Sequence, residues 1–113
     1  MMVVVSVDNI IDVVTINNMK AKLLLQRRLI LSESAFAEMM IWQLQVPLEG
    51  SAHDYKYRLA YVVNGVCILR YDNEAGKGNH LHINEQETSY SFVSSEQLLK
   101  DFFAQIKRME NSL

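Results

Sequence analysis

Apolar and polar side chains alternate with a period of two over residues 20–31 and again over residues 35–46. Because successive side chains of a strand point to opposite faces of a sheet, this alternation predicts two half-buried β-strands. The polar residues 32–34 between them are few enough for a hairpin connection. Residues 47–54 begin with the only proline of the chain and predict a loop.

The strongest local signal is Asn64-Gly65, because Asn-Gly supplies the two positive φ angles that a type I′ turn requires. It predicts a hairpin between strands over 55–63 and 66–73. Counting outward from the turn places Arg58 opposite Tyr71. The polar side chains then gather at the open end of the hairpin, beside a loop that contains two glycines.

Towards the C-terminus, residues 80–83 and 89–93 are predicted as short strands. Ser94 and Gln97 have the spacing of a capping box, in which Ser94 caps a helix and Gln97 reaches back to it. The helix that follows carries an apolar stripe wide enough to cover one face of a sheet, formed by Leu98, Leu99, Phe102, Phe103, Ile106 and Met109.

Residues 1–18 give a mixed pattern, since their high β-branched content favours a strand while four apolar residues follow helical spacing: Val7, Ile10, Ile11 and Val14. We predict a short helix here, as an N-terminal extension to a core over residues 19–113. Together the elements predict one domain of the α+β class over residues 1–113. Its antiparallel sheet has about five or six strands, with a C-terminal helix packed on one face.

Composition narrows the possible functions. The net charge of −2 gives no global basic field, so any contact with nucleic acid must be local. Cys67 is the only cysteine, which excludes an intramolecular disulfide. The N-terminal apolar run lacks a preceding positive charge and is followed by acids, so we expect a cytoplasmic protein with no membrane partner.

The segment from Arg70 to His82 holds most of the reactive side chains. Its Arg, Tyr, Asp, Lys and His residues can donate protons, accept protons and neutralise a phosphate. Gly76-Lys77-Gly78 lacks the spacing of a Walker A loop and the Ser or Thr that follows its lysine. It is therefore either an ordinary turn or a loop that presents an ammonium group to an anion.

His80 and His82 are two residues apart and share one face of a strand, where they can divide acid and base roles or hold a metal. A metal needs a third ligand, from Asp72 or His53, and no spacing demands one; we predict neither metal nor cofactor. Two plain surface histidines are the alternative.

Aromatic side chains offer a second kind of contact. Tyr55, Tyr57 and Tyr61 share a period of two, which is typical of cross-strand packing and, alternatively, of a base-stacking platform. Trp42 is expected in the core.

Several stretches taken together resemble the TumE-like proteins, the toxin halves of bacterial and archaeal toxin-antitoxin pairs. The resemblance spans residues 19–108 and rests on 19–25, 35–39, 55–61, 71–74, Gly76-Lys77-Gly78 with His80, and 92–94. Family members tend to begin where Met19 stands. Asn79 replaces a usual acid and Leu81 a usual basic residue, which leaves Lys77, His80 and His82 as the stronger candidates.

The resemblance implies a small cytoplasmic toxin that a cognate antitoxin neutralises. Together with this resemblance, the candidate residues favour the toxin of a type II system that cleaves RNA without a metal. Cleavage through the 2′-hydroxyl of RNA needs only a base, an acid and a cation at the phosphate. The candidate catalytic residues are Lys77, His80, His82, Tyr71 and Asp72. The candidate substrate-binding residues are Arg58, Arg70, Asn73, Gly76 and Gly78.

Each candidate has a role in this hypothesis. A histidine is the base or the acid, Lys77 and Arg70 hold the scissile phosphate, and Asp72 orients a histidine. Tyr71 assists a proton transfer. The alternatives are a non-enzymatic module that binds nucleic acid or protein and acts by occupancy, and a nucleotide-modifying enzyme that uses the loop around Lys77. Because one helix leaves sheet edges uncovered, we also expect a homodimer or an antitoxin complex.

Removing residues 1–18 tests the boundary of the core. We expect the chain that begins at Met19 to fold, because the family resemblance begins there. Thermal unfolding followed by circular dichroism should show one cooperative transition for both chains. If the shorter chain lost that transition, the first eighteen residues would be an integral part of the domain.

Overall fold

The computed structural model describes residues 2–4, 13–16 and 19–112. These residues form eight strands and one helix: β1 (Met2–Val4), β2 (Val13–Ile16), β3 (Met19–Ile30), β4 (Ala35–Leu44), β5 (Tyr55–Val63), β6 (Val66–Glu74), β7 (Gly78–Ile83), β8 (Gln86–Ser89) and α1 (Ser95–Glu110). The strands form one antiparallel sheet in the order β1-β3-β4-β5-β6-β7-β8, and β2 also pairs with β3. The predicted α+β class is confirmed: β3 to β8 form a six-stranded meander, and α1 packs on one face.

Two of the predicted elements are wrong. The helix predicted within residues 1–18 is replaced by β1 and β2, which pair with opposite ends of β3; the rest of that prediction lies outside the described residues. The strand predicted over 89–93 lies earlier, at β8. The chain turns at Asn84, whose φ is 55°, and the four residues of β8 then pair back along β7.

The hairpin of β5 and β6 forms around the predicted turn, with φ of 52° at Asn64 and 78° at Gly65. Its register changes soon afterwards. Val62 lies opposite Cys67, whereas Tyr61 lies opposite Leu69, so Ile68 is an extra residue, a β-bulge. Beyond the bulge every pairing differs by one residue from the simple count.

The predicted pairing of Arg58 with Tyr71 is therefore wrong. Arg58 lies opposite Asp72, and Tyr71 lies opposite Leu59. Because cross-strand partners share a face, Leu69 and Tyr71 join the side of the sheet that faces α1. Arg70 and Asp72 join the other side.

The main core lies between the sheet and α1. Helix residues Leu98, Phe102 and Ile106 are buried against strand residues that include Tyr57 and Tyr61, each 1% exposed. The tyrosine base-stacking platform is therefore wrong, because two of its three rings lie inside the core. Among the described residues, no helix is both long and apolar enough to cross a membrane.

The helix cap is confirmed in part. The Ser94 hydroxyl accepts a hydrogen bond from the backbone N–H of Gln97 at 3.1 Å. Gln97 does not reach back to Ser94, because its side-chain amide donates to Asp101 Oδ1 at 2.8 Å. The hydrogen bond from Gln97 N–H to the Ser94 hydroxyl is therefore the one capping-box bond that forms, and α1 begins at the predicted residue.

We call the sheet face opposite α1 the open face, because none of the residues that the structure describes forms a helix on it. At one end of this face a small apolar cluster forms around Ala21, Leu44 and Leu48, with Trp42 packed against it. Leu48 comes from the loop between β4 and β5, so this loop covers only the end of the open face. On the remainder, β5 to β8 carry polar side chains, of which Arg58 and Glu87 are exposed and Asp72 is buried.

Four tyrosines should make the fold sensitive to alkaline pH. Burial is the main cause that raises the pKa of Tyr57, Tyr61, Tyr71 and Tyr90 above the ordinary 10.0. Above pH 10.0 the unfolded chain loses phenol protons that the folded chain retains, so the free energy of unfolding should fall as pH rises. Burial lowers the pKa of Lys56. This one group has the opposite effect on the free energy of unfolding, because the folded chain releases its proton at a lower pH than the unfolded chain does.

Urea unfolding on both sides of pH 10.0 measures this decline. Tyr61→Phe is a suitable comparison, because the Tyr61 hydroxyl makes no hydrogen bond within the part of the chain that the structure describes. This variant should show a shallower decline than the wild type. Stability that stays constant across the range would contradict the prediction.

Candidate functional site

The bulge at Ile68 brings six polar side chains together on the open face. In register, Arg58 lies beside Asp72 and Asp72 beside His80, while Arg70 lies beside His82 and His82 beside Glu87. The six residues come from β5, β6, β7 and β8, and we call them the polar cluster: Arg58, Arg70, Asp72, His80, His82 and Glu87. The same-face placement of the two histidines is confirmed.

Arg70 lies between an acid and a histidine. Its Nε donates to Asp72 Oδ2 at 2.9 Å, and its Nη2 lies 3.0 Å from His82 Nε2. A guanidinium can only donate hydrogen bonds, so His82 Nε2 accepts in this contact and carries no proton there. Arg70 thereby orients the His82 ring so that the Nε2 lone pair of His82 points at the Arg70 guanidinium.

Glu87 contacts both histidines. Its Oε2 lies 3.2 Å from His82 Nε2 and 3.3 Å from His80 Nδ1. A carboxylate only accepts, so this contact is favourable with a proton on His80 Nδ1, which leaves the Nε2 lone pair of the neutral ring free. His82 Nε2 faces competing partners, because one nitrogen cannot accept from Arg70 and donate to Glu87 at the same time.

Two polar atoms of this cluster are buried with no hydrogen-bond partner among the described residues, Asp72 Oδ1 and His80 Nε2. Asp72 Oδ1 lies 3.9 Å from His82 Nε2, which is too long for a hydrogen bond. An unsatisfied buried polar group costs about 1–3 kcal/mol, and native proteins keep few of them. Both atoms are acceptors in the state just described, so the site lacks donors.

Several predicted site residues lie elsewhere. Tyr71 is buried on the helix side, burial raises its pKa, and its hydroxyl makes only a long 3.5 Å bond to the backbone oxygen of Asp101. Asn73 is also buried on that side, where it bonds to the backbone of Tyr55 and Tyr57. The structure therefore does not bring Tyr71 and Asn73 together with the histidines.

Lys77 lies in the turn between β6 and β7, flanked by Gly76 and Gly78, which have φ of 77° and 79°. Its side chain is 67% exposed, and its Nζ lies 3.6 Å from Glu74. The backbone N–H of Gly76 donates to the Glu49 oxygen at 2.8 Å, which ties this turn to the loop before β5. The turn thus lies at the end of the strands that carry the polar cluster.

Glu87 is the member of the cluster that sequence reasoning missed. The available signal was a two-residue turn at Asn84-Glu85, which would have placed Glu87 opposite His82 by simple alternation. Lys56 was also left out; its ammonium donates to the Asn73 carbonyl, and burial is the main cause that lowers its pKa. Within the described ranges, no group of three metal-ligating side chains is arranged to hold an ion.

His53 and Asn79 form a separate contact on the helix side. His53 Nε2 lies 2.9 Å from Asn79 Oδ1, and His53 Nδ1 accepts from the Tyr55 N–H at 3.2 Å. Tyr57 donates to the same Asn79 oxygen at 2.7 Å. His53 therefore carries its proton on Nε2, the opposite tautomer to that of His80.

Comparison with known proteins identifies a family. The family model described as "Toxin TumE" matches residues 10–110 of the chain. No curated protein and no solved structure matches. The two departures from the family pattern, Asn79 and Leu81, both lie on the helix side, where they pair with Asn73 and Tyr71. The polar cluster contains neither of them.

The tautomers of His53 and His80 provide a test of this geometry. At a pH where the imidazoles are neutral, their nitrogen chemical shifts should place the proton on Nε2 in His53 and on Nδ1 in His80. Glu87→Ala should remove the preference of His80 and leave His53 unchanged, because Glu87 contacts only the open-face histidines. An Nε2-protonated His80 in the wild type would contradict the arrangement.

Proposed function

Because the chain belongs to the TumE toxin family, we propose that it is the toxin of a type II pair and acts as a metal-independent endoribonuclease in the cytoplasm. The observation that carries this proposal is the pair of imidazoles on the open face, His80 and His82, which both contact the Glu87 carboxylate. His80 Nε2 is buried with no hydrogen-bond partner among the described residues, so the side chains around it have to move when RNA binds. A carboxylate behind an imidazole stabilises the imidazolium that forms when the ring takes a proton. His80 is therefore the proposed general base.

The reaction follows from the positions of the remaining groups. His80 Nε2 takes the proton of a 2′-hydroxyl, whose oxygen forms a bond to the adjacent phosphorus. The bond from phosphorus to the 5′ oxygen breaks, and that oxygen takes a proton from His82. The products are a 2′,3′-cyclic phosphate and a 5′-hydroxyl, so protons and bonds balance.

The two imidazoles suit this division of roles. Their ring centroids lie 6.2 Å apart, which is close enough for the rings to flank one phosphodiester. His82 becomes an acid when both ring nitrogens are protonated: Nε2–H then faces Glu87, and Nδ1–H is the proton that the 5′ oxygen takes. This requires Arg70 to leave Nε2. A bound phosphate favours this change, because it accepts from Arg70 in place of His82.

Charge stabilisation comes from the cations around the histidines. Arg70 is held by Asp72, and Arg58 is exposed beside them, so both guanidiniums can contact the oxygens of a pentavalent phosphorus. Lys77 is a proposed contact to a more distant phosphate, because its ammonium is exposed at the end of the same strands. Tyr71 is left out of the mechanism, since it lies under α1.

RNA suits the cluster better than DNA does. Asp72 Oδ1 and His80 Nε2 are acceptors that lack donors, and the 2′-hydroxyl supplies an O–H next to a phosphate. DNA offers the same phosphate without that donor. The hydroxyl is therefore both the group recognised and the nucleophile.

The proposed partner is a cognate antitoxin protein, or a second copy of the chain in a homodimer. Strand β8 pairs with β7 in the described sheet, and all four of its residues are exposed. An exposed edge strand can add a strand from another chain. Such an addition would lie next to Glu87 and could silence the histidines.

Cleavage of RNA by the purified protein tests the proposal. His80→Ala and His82→Ala should each lower kcat by about 10² to 10⁴-fold, the usual contribution of general acid-base catalysis, and should relieve growth inhibition in cells. A single 2′-deoxy substitution at the cleaved nucleotide should stop the reaction. EDTA should leave the rate unchanged.

The matched control is His53→Gln, which removes an imidazole from the helix side and should keep the wild-type rate. Melting temperatures should confirm that the open-face variants remain folded. Tight binding of RNA without turnover would favour action by occupancy. Activity that is lost with EDTA and restored by a divalent ion would overturn the metal-independent mechanism.

A further inference from the structure

The open face continues from the polar cluster to an aromatic side chain on β4. Trp42 lies between Leu23 of β3 and Lys56 of β5 in the register of the sheet. One step along the strands, Met40 lies beside Arg58. Trp42 and Arg58 are thus neighbours on adjacent strands, and Arg58 in turn lies next to Asp72.

Building on the proposed ribonuclease function, we propose that Trp42 and Arg58 form a subsite for an unpaired nucleotide that flanks the cleaved bond. The indole stacks on the base, and Arg58 contacts the phosphate between this base and the polar cluster. The class of ligand is single-stranded RNA, read by stacking without base-specific hydrogen bonds.

The charge of the surface supports this ligand. Arg28, Arg70 and Lys77 each have a carboxylate partner, in Glu38, Asp72 and Glu74 respectively. Arg58 is exposed and makes no ion pair within the described residues, although it lies opposite Asp72. It is therefore a cation available to a polyanion, at the position that joins Trp42 to the histidines.

Four other aromatic rings of the sheet cannot serve as the platform. Tyr57, Tyr61 and Tyr71 are buried on the helix side. Phe36 lies on the open face, but the Arg28 guanidinium covers its ring at 3.8 Å from the centroid. Trp42 is partly buried and packs against the apolar cluster of Ala21 and Leu44, so its position is fixed by packing.

The distance fits a short stretch of nucleic acid. Three strand spacings separate β4 from β7, which amounts to about 14 Å across the sheet. A few nucleotides of an extended strand cover such a span. The strand would cross β5 and β6 roughly at right angles, passing over Arg58 and Asp72 before it reaches His80.

Kinetics on substrates of different length test the subsite. Adding flanking nucleotides to a dinucleotide should raise kcat/KM for the wild type, and Trp42→Leu should lose roughly five- to 150-fold of that gain, as expected for one stacked base. Cleavage of the dinucleotide itself should be unchanged. Trp42→Phe should retain part of the gain, and an abasic flanking nucleotide should lower the rate of the wild type as Trp42→Leu does.

Fluorescence gives a reading that does not depend on cleavage, because Trp42 is the only tryptophan of the chain. A 2′-O-methyl oligoribonucleotide, which cannot be cleaved by this mechanism, should quench Trp42, and an abasic residue at the flanking position should abolish the quenching. Arg58→Gln should weaken binding and reduce its salt dependence.

The two proposals can fail separately. Cleavage without quenching, or an abasic effect that is equal in wild type and Trp42→Leu, would overturn the subsite and leave the ribonuclease in place. Quenching without cleavage would support the subsite and overturn the ribonuclease. A change in Trp42 fluorescence that depends on protein concentration alone would assign this face to a second copy of the chain and overturn the subsite.

Discussion

The arrangement of this molecule depends on one extra residue in β6. A shift of one residue in a strand exchanges the side chains on its two faces, and the bulge at Ile68 makes this exchange partway along the hairpin. Without it, Arg70 and Asp72 would lie beneath α1, where a paired charge costs several kcal/mol of desolvation per ion. With it, Leu69 and Tyr71 fill the core, and the charged pair lies on the open face. The bulge thus places apolar side chains in the core and, by the same shift, brings the polar cluster together on the open face.

The two faces of the sheet differ in how completely their buried polar groups are hydrogen-bonded. On the helix side, buried polar groups such as Asn73 have partners, and the apolar side chains of α1 complete the core. On the open face, Asp72 Oδ1 and His80 Nε2 lack partners, and His82 Nε2 has competing ones. Native proteins leave few buried polar groups without a partner, so the open face carries an unsatisfied polar cost that the helix side does not.

The sequence predicted the features that depend on neighbouring residues. The turn at Asn64-Gly65, the cap at Ser94 and the shared face of the two histidines all follow from short-range geometry, and all are confirmed. The bulge was not predictable, because Ile68 has the side chain of an ordinary strand residue and the pairing is decided by which neighbours are buried. Errors in the partners of Arg58 and in the face of Tyr71 follow from that single shift. Glu87 was missed for a related reason, since its role depends on the register of β8.

The departures from the family pattern fit this division between the faces. Asn79 Oδ1 accepts hydrogen bonds from Tyr57 and from the Nε2 proton of His53, and a carboxylate at this position could accept the same two bonds. The amide therefore keeps the hydrogen bonding and removes a negative charge beside the phenol of Tyr57, whose pKa burial already raises. Leu81 lies opposite Tyr71 and packs against the core, where an apolar side chain needs no partner. Both residues lie on the helix side, apart from the histidines and arginines of the open face.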